Sequence, residues 1–238
     1  MITMNYESTH NTVTEQLPLV VEIIGPAGAG KTTLLRALSR RRKTIKPGIH
    51  PSKIKQFPFF IRNMFSLLPP YLRQYRHSRW FNWREIRSMA YLKATLQVLE
   101  QQAANNGMVT VLDHGPMYRL AFLRALGPEI TTSQRYTKWW RSLLNEWTAT
   151  IDIVIWLDAP NEILLERIRA RDQRLSIKDK CDQEAYGYLI QYRTFLEDII
   201  AESVTDRRVT LLRFDTNQES VEQIVDEVLA TFDAVRRL

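Results

Sequence analysis

Three of the eight glycines in this 238-residue chain lie within six positions, and the third is followed at once by lysine and threonine. The stretch from Gly25 to Thr32 therefore has the form G-x-x-x-x-G-K-T. An apolar run at 19–24 precedes it and a helical pattern at 33–42 follows it, which indicates a buried strand and then a helix. Such glycines let successive backbone N–H groups surround an anion, and the helix dipole adds to the attraction. The pattern predicts a loop that binds the phosphates of a nucleoside triphosphate.

Two side chains of this loop carry chemistry of their own. The ammonium group of Lys31 is expected to reach the β- and γ-phosphates, and the hydroxyl of Thr32 is expected to ligate Mg²⁺. The residues predicted to contact the nucleotide are Gly25, Ala27, Gly28, Ala29, Gly30, Lys31, Thr32 and Thr33.

A second candidate for chemistry is Asp113, which closes an apolar strand predicted at 108–113. An acid at this position can hold the Mg²⁺ shell through water, because Mg²⁺ prefers hard oxygen ligands and keeps several waters. The alternative is an acid that caps the next helix. His114, the next residue, is suited either to contact an acceptor or to cap a turn. The sequence favours a metal role for Asp113 and leaves His114 open.

Three arginines form the third candidate group. Arg167, Arg171 and Arg174 follow one another at i, i+4 and i+7 in a helix predicted at 159–171 and its extension. Guanidinium groups suit both the stabilisation of phosphate charge and stacking on a nucleobase. A loop follows where a lid would hinge, so we interpret 166–182 as an arginine lid. The alternative is a solvated helix end paired with neighbouring acids. We expect Asp158 to cap the start of this helix.

Strands and helices alternate along the chain, which predicts an α/β fold with a parallel sheet covered by helices on both faces. We expect one domain over 18–238, preceded by a disordered polar leader at 1–17. Within the domain, 43–84 is rich in aromatic, basic and proline residues. Its prolines are expected to divide it into short helical pieces that form an insertion or lid on the acceptor side.

The charge of the chain is unevenly distributed. Fifteen Lys or Arg residues and one acid lie between Arg36 and Lys93, whereas the rest has 18 Lys or Arg against 25 Asp or Glu. This separation indicates an anionic partner for the basic side. The single cysteine, Cys181, excludes an internal disulfide and fits a reducing cytoplasm, and no Cys/His cluster indicates structural zinc. No apolar run approaches the length of a membrane span.

These motifs together resemble the thymidylate kinase and deoxynucleoside kinase branch of the P-loop kinases. The resemblance rests on 25–33, the Asp-His-Gly turn at 113–115, Ile-Trp-Leu-Asp-Ala-Pro at 155–160, Glu-Arg-Ile-Arg-Ala-Arg at 166–171, and 211–220. It implies a P-loop NTPase architecture of three α/β/α layers, with a five-stranded sheet in the order 2-3-1-4-5. It also implies ATP as donor, Mg²⁺, and a mobile arginine lid.

The chain departs from that branch at the acceptor side. Thymidylate kinases have an acid and an arginine before a Pro-Gly, where this chain has Ile45 and Lys46. Deoxynucleoside kinases use a carboxylate there as base, and none lies between Arg36 and Arg84. His114 stands where the branch usually has arginine. An anionic acceptor such as a nucleoside monophosphate needs little help from a base. We therefore expect such an acceptor, held by Lys46 and by arginines between Arg73 and Arg87.

Other functions fit the same sequence. The scaffold could act on a sugar, a sulfate ester or an antibiotic, since one fold hosts many acceptors. A nucleotide-gated binding protein is a further alternative, in which the basic aromatic segment 40–84 docks on a nucleic acid or an anionic membrane. The tryptophans at 139, 140 and 147 fit either a homodimer face or the core.

Overall fold

The computed structural model describes residues 18–48, 53–102, 108–172, 177–204 and 209–237. The expected leader at 1–17 and the predicted lid residue Arg174 lie outside the described residues. The strands are β1 (Leu19–Ile24), β2 (Ile45–Pro47), β3 (Val109–Asp113), β4 (Ile153–Asp158) and β5 (Thr210–Asp215). The α-helices are α1 (Lys31–Arg41), α2 (Lys53–Pro70), α3 (Trp83–Gln102), α4 (Pro116–Leu126), α5 (Gln134–Thr148), α6 (Asn161–Arg169), α7 (Asp182–Val204) and α8 (Val221–Val235).

The five strands form one parallel sheet in the order β2-β3-β1-β4-β5. The strand order that the resemblance implied is therefore confirmed. β1 lies at the centre, where Ile23 pairs with Asp113 of β3 on one side and with Ile155 of β4 on the other. Since parallel strands end at the same edge, the residues that follow β1, β3 and β4 meet there. This edge is where the predicted phosphate loop lies.

Two apolar clusters cover the two faces of the sheet. One contains Leu38 of α1, Leu164 of α6 and Val228 of α8, all fully buried. The other is built mainly from α3, α4, α5 and part of α7, and it includes Leu92 and Leu143. Both faces of each inner strand are thus covered, which explains the long β-branched runs in the sequence. The three-layer α/β/α prediction is confirmed.

Two of the three tryptophans of α5 belong to the core, and Trp139 is partly buried against it. Trp147 has no exposed surface, Trp140 is 4% exposed, and the indole of Trp140 donates a hydrogen bond of 3.1 Å to the Leu120 carbonyl. Of the two alternatives, a homodimer face or the core, the core holds for these two residues. For Trp140, the Leu120 carbonyl allows the indole N–H to be buried.

The basic aromatic segment is also more regular than predicted. Its prolines do not divide it into short pieces, because α2 is one helix of 18 residues, followed by a π-helical turn at Tyr71–Tyr75. Pro58 removes a single backbone hydrogen bond, while Leu67, buried to 3% exposure, holds the helix against the core. Pro69 lies at the C-terminal end of α2, where the α-helical hydrogen bonds give way to those of the π-helical turn. Among the described helices, none is both long and apolar enough to cross a bilayer.

Candidate active site

The loop between β1 and α1 takes the backbone shape that its glycines predict. Gly25, Gly28 and Gly30 have φ values of 141°, 88° and 91°, which side chains other than glycine rarely adopt. A Cβ at Gly25 would lie 2.0 Å from the Leu157 carbonyl oxygen, and one at Gly28 would lie 2.7 Å from the Leu164 carbonyl oxygen. The loop therefore fits closely against β4 and α6, and alanine cannot replace these two glycines without displacing backbone.

The lysine of the loop lies inside its curve. The Lys31 ammonium donates hydrogen bonds of 2.7 Å to the Gly25 carbonyl and 2.8 Å to the Pro26 carbonyl, and the residue is 9% exposed. Burial lowers the pKa of Lys31 to about 8, with the charge of Asp113 acting to raise it and that of Arg171 to lower it further. A cation is thus enclosed beside the N-terminus of α1, where an anionic phosphate is favoured.

Thr32 and Asp113 meet across the edge of the sheet. The Thr32 hydroxyl donates a hydrogen bond of 3.1 Å to Asp113 Oδ2, and His114 Nδ1 lies 2.9 Å from Asp113 Oδ1. Burial acts to raise the pKa of Asp113, but contact with His114, the charge of Lys31 and the Thr32 hydroxyl together hold it below its usual value. Asp113 is therefore a carboxylate at neutral pH.

The donor set at this point fits Mg²⁺. A hydroxyl and a carboxylate oxygen are hard ligands, and Mg²⁺ is commonly held by one or two protein oxygens together with water and substrate phosphates. No group of three or more His, Cys, Asp or Glu able to hold a metal occurs among the described residues. Two protein oxygens leave most of the Mg²⁺ shell to water and to substrate phosphates, which is usual for this ion.

His114 has an unusual backbone. Its φ is 53°, the left-handed region that residues other than glycine seldom occupy. Its ring meets the Tyr118 ring edge to face at a centroid distance of 4.8 Å, and half of its side chain is exposed. Strain of this kind persists where the surroundings fix it, and it is common at functional sites. The contact with Asp113 places His114 at the site rather than in a distant turn.

The arginines divide into different roles. The helix predicted at 159–171 ends at Arg169, so Arg171 lies in the turn beyond it. Arg167 donates to the Thr216 hydroxyl at 2.8 Å and to the Thr216 carbonyl at 2.9 Å, which fixes it to the turn between β5 and α8. Arg167 and Arg171 line one cavity with the glycine loop, and Arg171 is near enough to affect the pKa of Lys31.

This cavity has a volume of about 350 Å³ and adjoins the start of α1, the end of α6 and the turn before α8. Leu34, Val221 and Ile224 give it an apolar wall, and Arg167 and Thr216 give it a polar one. A flat, heteroaromatic base suits such a combination of apolar surface and guanidinium plane. The cavity begins at the phosphate loop, so a base and its phosphates can be bound together.

Glu22 is a site residue that sequence reasoning missed. It lies in β1 with no exposed surface, and its carboxyl group accepts hydrogen bonds from the backbone N–H groups of Met117 at 2.9 Å and Tyr118 at 3.2 Å. Burial raises the pKa of Glu22 to about 8 despite these bonds. A Cβ at Gly115 would lie 2.8 Å from the Glu22 carboxyl carbon. Glu22 therefore fixes the turn that carries His114. The only sequence signal was an acid within an apolar run.

Arg193 of α7 was also missed, and it corrects the prediction for Asp158. The N-cap of α6 is Pro160, without a side-chain cap. Asp158 instead accepts hydrogen bonds from Arg193, at 2.7 Å from Nε and 2.9 Å from Nη2. Arg193 also donates to the Ala159 carbonyl and to the Asn161 side chain. Paired hydrogen bonds between a carboxylate and a guanidinium are stronger than the single backbone hydrogen bond of a helix cap. Asp158 therefore pairs with Arg193 instead of capping α6. No sequence pattern links these two distant positions.

The acceptor-side arginines are not equivalent. Arg79 forms a paired contact with Glu85, at 2.7 and 2.9 Å, and Glu85 is only 1% exposed. A buried carboxylate needs a cation, so Arg79 is committed to structure rather than to an acceptor. Arg84 Nη2 instead donates to the Tyr118 hydroxyl at 3.1 Å, and its guanidinium lies 4.5 Å from the centroid of the Phe122 ring. Arg84 is therefore connected through Tyr118 to the His114 side of the site.

Comparisons with known proteins agree with this geometry. The sequence profile of a family described as an AAA domain matches residues 20–186. No curated protein sequence matches the chain at a significant level. A solved deoxyadenosine kinase from M. mycoides with bound dCTP is 16% identical, with a TM-score of 0.53 over 91% of this chain and 100% of that one. A thymidylate kinase from Candida albicans is 14% identical, with a TM-score of 0.53 over 93% of both chains. At such identities the likeness establishes the fold.

Proposed function

Because this chain belongs to the AAA domain family and has the fold of P-loop kinases, we propose that it is an ATP-dependent phosphotransferase. It transfers the γ-phosphoryl group to a small anionic acceptor, of which a nucleoside monophosphate is the simplest example. The observation that carries the proposal is the contact of 3.1 Å between Thr32 and Asp113, beside the enclosed ammonium of Lys31. A carboxylate at this position can hold the Mg²⁺ that accompanies a nucleoside triphosphate, and phosphoryl transfer requires that ion.

The loop residues bind and orient the donor in this proposal. The backbone N–H groups from Gly25 to Gly30 surround the β-phosphate, and Lys31 exchanges its bonds to the loop carbonyls for bonds to the β- and γ-phosphates. Thr32 and Asp113 would hold Mg²⁺, which supplies neutralisation of the charge on the phosphates when it is bound. His114 fixes the orientation of the Asp113 carboxylate.

The arginines of 166–182 form the lid of the proposed enzyme. Arg171 supplies positive charge to the transferred group, because it already lies within electrostatic reach of Lys31. Arg167 is fixed to Thr216 and forms part of the base-binding cavity. We assign Arg174 to the lid on the sequence spacing. Closure of such a lid excludes water, which would otherwise compete as acceptor.

The proposed acceptor binds on the side of Asp113 away from the base cavity. Arg84, Tyr118 and His114 form one connected group there, which joins a fixed cation to a half-exposed histidine. An acceptor phosphate is already ionised and can attack in line without a base. The absence of acids between Arg36 and Arg84 therefore fits a phosphorylated acceptor better than a neutral hydroxyl.

The test is release of ADP from ATP and Mg²⁺ in a coupled assay, against nucleosides, nucleoside monophosphates, and phosphorylated or sulfated sugars. Turnover on a monophosphate that is lost in Lys31→Ala would support the proposal. Turnover on a sugar phosphate would support phosphotransfer but show that the acceptor is not a nucleoside monophosphate. If ATP binds tightly but no acceptor stimulates ADP release, the phosphotransferase proposal is wrong, because binding without transfer is what a nucleotide-gated protein would show.

A further inference from the structure

Among the side chains of α2 that the structure describes, most of the exposed ones are apolar, which is the reverse of an ordinary surface helix. Phe57, Ile61 and Phe65 follow one another at intervals of four residues and are 62%, 36% and 73% exposed. Residues at this spacing lie on one side of a helix. Leu72, in the π-helical turn that follows, is 57% exposed. Four of the eight large hydrophobic side chains that are exposed among the described residues therefore lie within 16 consecutive positions.

The inward side of the same helix is accounted for by the core. Leu67 is 3% exposed and belongs to the cluster that α3 and α4 help to form. Exposed Pro58 and Pro69 extend the outward apolar side towards both ends of the helix. The outward phenylalanines are therefore separate from the face of α2 that packs on the core. They form a second apolar surface, here called the α2 surface and comprising Phe57, Ile61, Phe65 and Leu72.

The chain segment that contains the α2 surface carries charge of one sign. Thirteen Lys or Arg residues and no acid lie from Arg36 to Arg84. Arg62 is exposed beside Ile61, and Arg73 is exposed beside Leu72. Apolar side chains bordered by cations on one helix are typical of segments that lie in the interface of an anionic membrane. There the side chains enter the acyl boundary and the cations meet the head groups.

Two other occupants fit the α2 surface less well. A second copy bound about a two-fold axis would bring the same cations against each other, without an acid from this segment to pair them. A nucleic acid would contact the cations through its phosphates and could stack on phenylalanine. It would gain little from contact with the aliphatic side chains of Ile61 and Leu72. A lipid surface uses both the aromatic and the aliphatic side chains, and its negative charge matches the arginines.

We propose that the α2 surface docks this protein on an anionic lipid surface, with Phe65 and Leu72 entering the boundary between head groups and acyl chains. Arg62 and Arg73 contact the phosphate groups of the lipids. The binding is interfacial and reversible, because one short apolar stripe with a few cations gives limited affinity. This binding does not depend on phosphotransfer, so the vesicle experiment tests it independently of the proposed function.

The test is flotation of the full chain with vesicles of phosphatidylcholine alone, and with vesicles containing about one-third phosphatidylglycerol. We expect binding to the anionic vesicles only, and weaker binding as salt rises. Phe65→Gln and Leu72→Gln should each weaken partition about tenfold, because a large apolar side chain no longer leaves water. Arg62→Gln should weaken it about fivefold. Ile190→Gln is the matched control, since Ile190 of α7 is 54% exposed and lies outside the α2 surface.

Several results would overturn the proposal. Equal binding to both kinds of vesicle, or none to either, excludes an anionic lipid as partner. Equal loss in Phe65→Gln and Ile190→Gln shows general stickiness rather than a defined surface. A dimer without vesicles that becomes a monomer in Phe65→Gln assigns the α2 surface to self-association. Release from vesicles by single-stranded DNA, with DNA binding lost in the same variant, assigns it to nucleic acid. Circular dichroism of each variant confirms that it is folded.

Discussion

The three glycines of the phosphate loop have different surroundings, and an alanine series can test the loop geometry directly. Gly30 has a φ of 91°, but a Cβ there would have no heavy atom within 4 Å. Gly28 has a similar φ of 88°, and its Cβ would meet the Leu164 carbonyl oxygen at 2.7 Å. Gly25 combines a φ of 141° with a distance of 2.0 Å to the Leu157 carbonyl oxygen. The series therefore separates backbone strain from steric overlap.

The expected losses in the free energy of unfolding follow from these differences. Gly30→Ala should cost about 1–2 kcal/mol, which is the penalty of a left-handed backbone for alanine. Gly28→Ala should cost more, about 3 kcal/mol, because α6 must also move away from the new Cβ. Gly25→Ala should cost the most, above about 3 kcal/mol, because its φ is nearly restricted to glycine and the overlap is with the backbone of a central strand.

The measurement is equilibrium urea unfolding without nucleotide, so that lost binding does not enter the result. Gly187→Ala is the matched control, because Gly187 is an exposed residue of α7 with no heavy atom within 4 Å of its Cβ position. There the same substitution should stabilise the protein by about 1 kcal/mol. If Gly25→Ala costs no more than Gly30→Ala, the loop does not pack against Leu157 as described, and the reasoning fails.

Three further predictions concern the site. Asp113→Asn should raise the Mg²⁺ concentration needed for half-maximal turnover ten- to a hundredfold, read from a magnesium titration, and an unchanged requirement would exclude it from the metal shell. Arg84→Ala should raise the KM of the acceptor about tenfold while the KM of ATP stays constant, and a change in both would place it elsewhere. Burial raises the pKa of Glu22 to about 8, so the native state keeps a proton that the unfolded state loses above about 4.5. Stability should therefore fall as pH rises from about 4.5 to 8, and urea unfolding of Glu22→Gln should show a smaller fall; equal slopes would contradict this.

The parts of the structure that could be predicted from the sequence depend on local backbone requirements. The loop was predictable because glycines with positive φ must stand at fixed positions between a strand and a helix. The parallel sheet was predictable because its buried strands have continuous apolar runs. The order of the strands came from the resemblance to a kinase branch, since alternation alone allows several orders. The position of Asp113 beside the loop was predictable because it ends such a run.

The parts that could not be predicted depend on side chains that meet only after folding. Arg193 and Asp158 are separated by 35 positions, and their contact depends on how α7 lies across the end of β4. Glu22 looked like a polar interruption of a strand, whereas its role depends on the start of α4 lying directly above it. The segment that contains α2 was predicted as fragments because prolines at 51, 58, 69 and 70 suggest breaks, but packing of Leu67 outweighs the few backbone bonds that are lost.

The positive charge between residues 36 and 93 is continuous along the sequence, but in the structure its arginines have three different surroundings. Arg79 neutralises the buried Glu85, Arg84 lies beside the proposed acceptor site, and Arg62 borders the α2 surface. These assignments can be separated, because each predicts a different loss. Arg84→Ala should change the KM of the acceptor and leave vesicle binding intact, whereas Arg62→Gln should do the reverse. If both variants weakened both activities alike, the charge would act as a single diffuse field, and neither local assignment would hold.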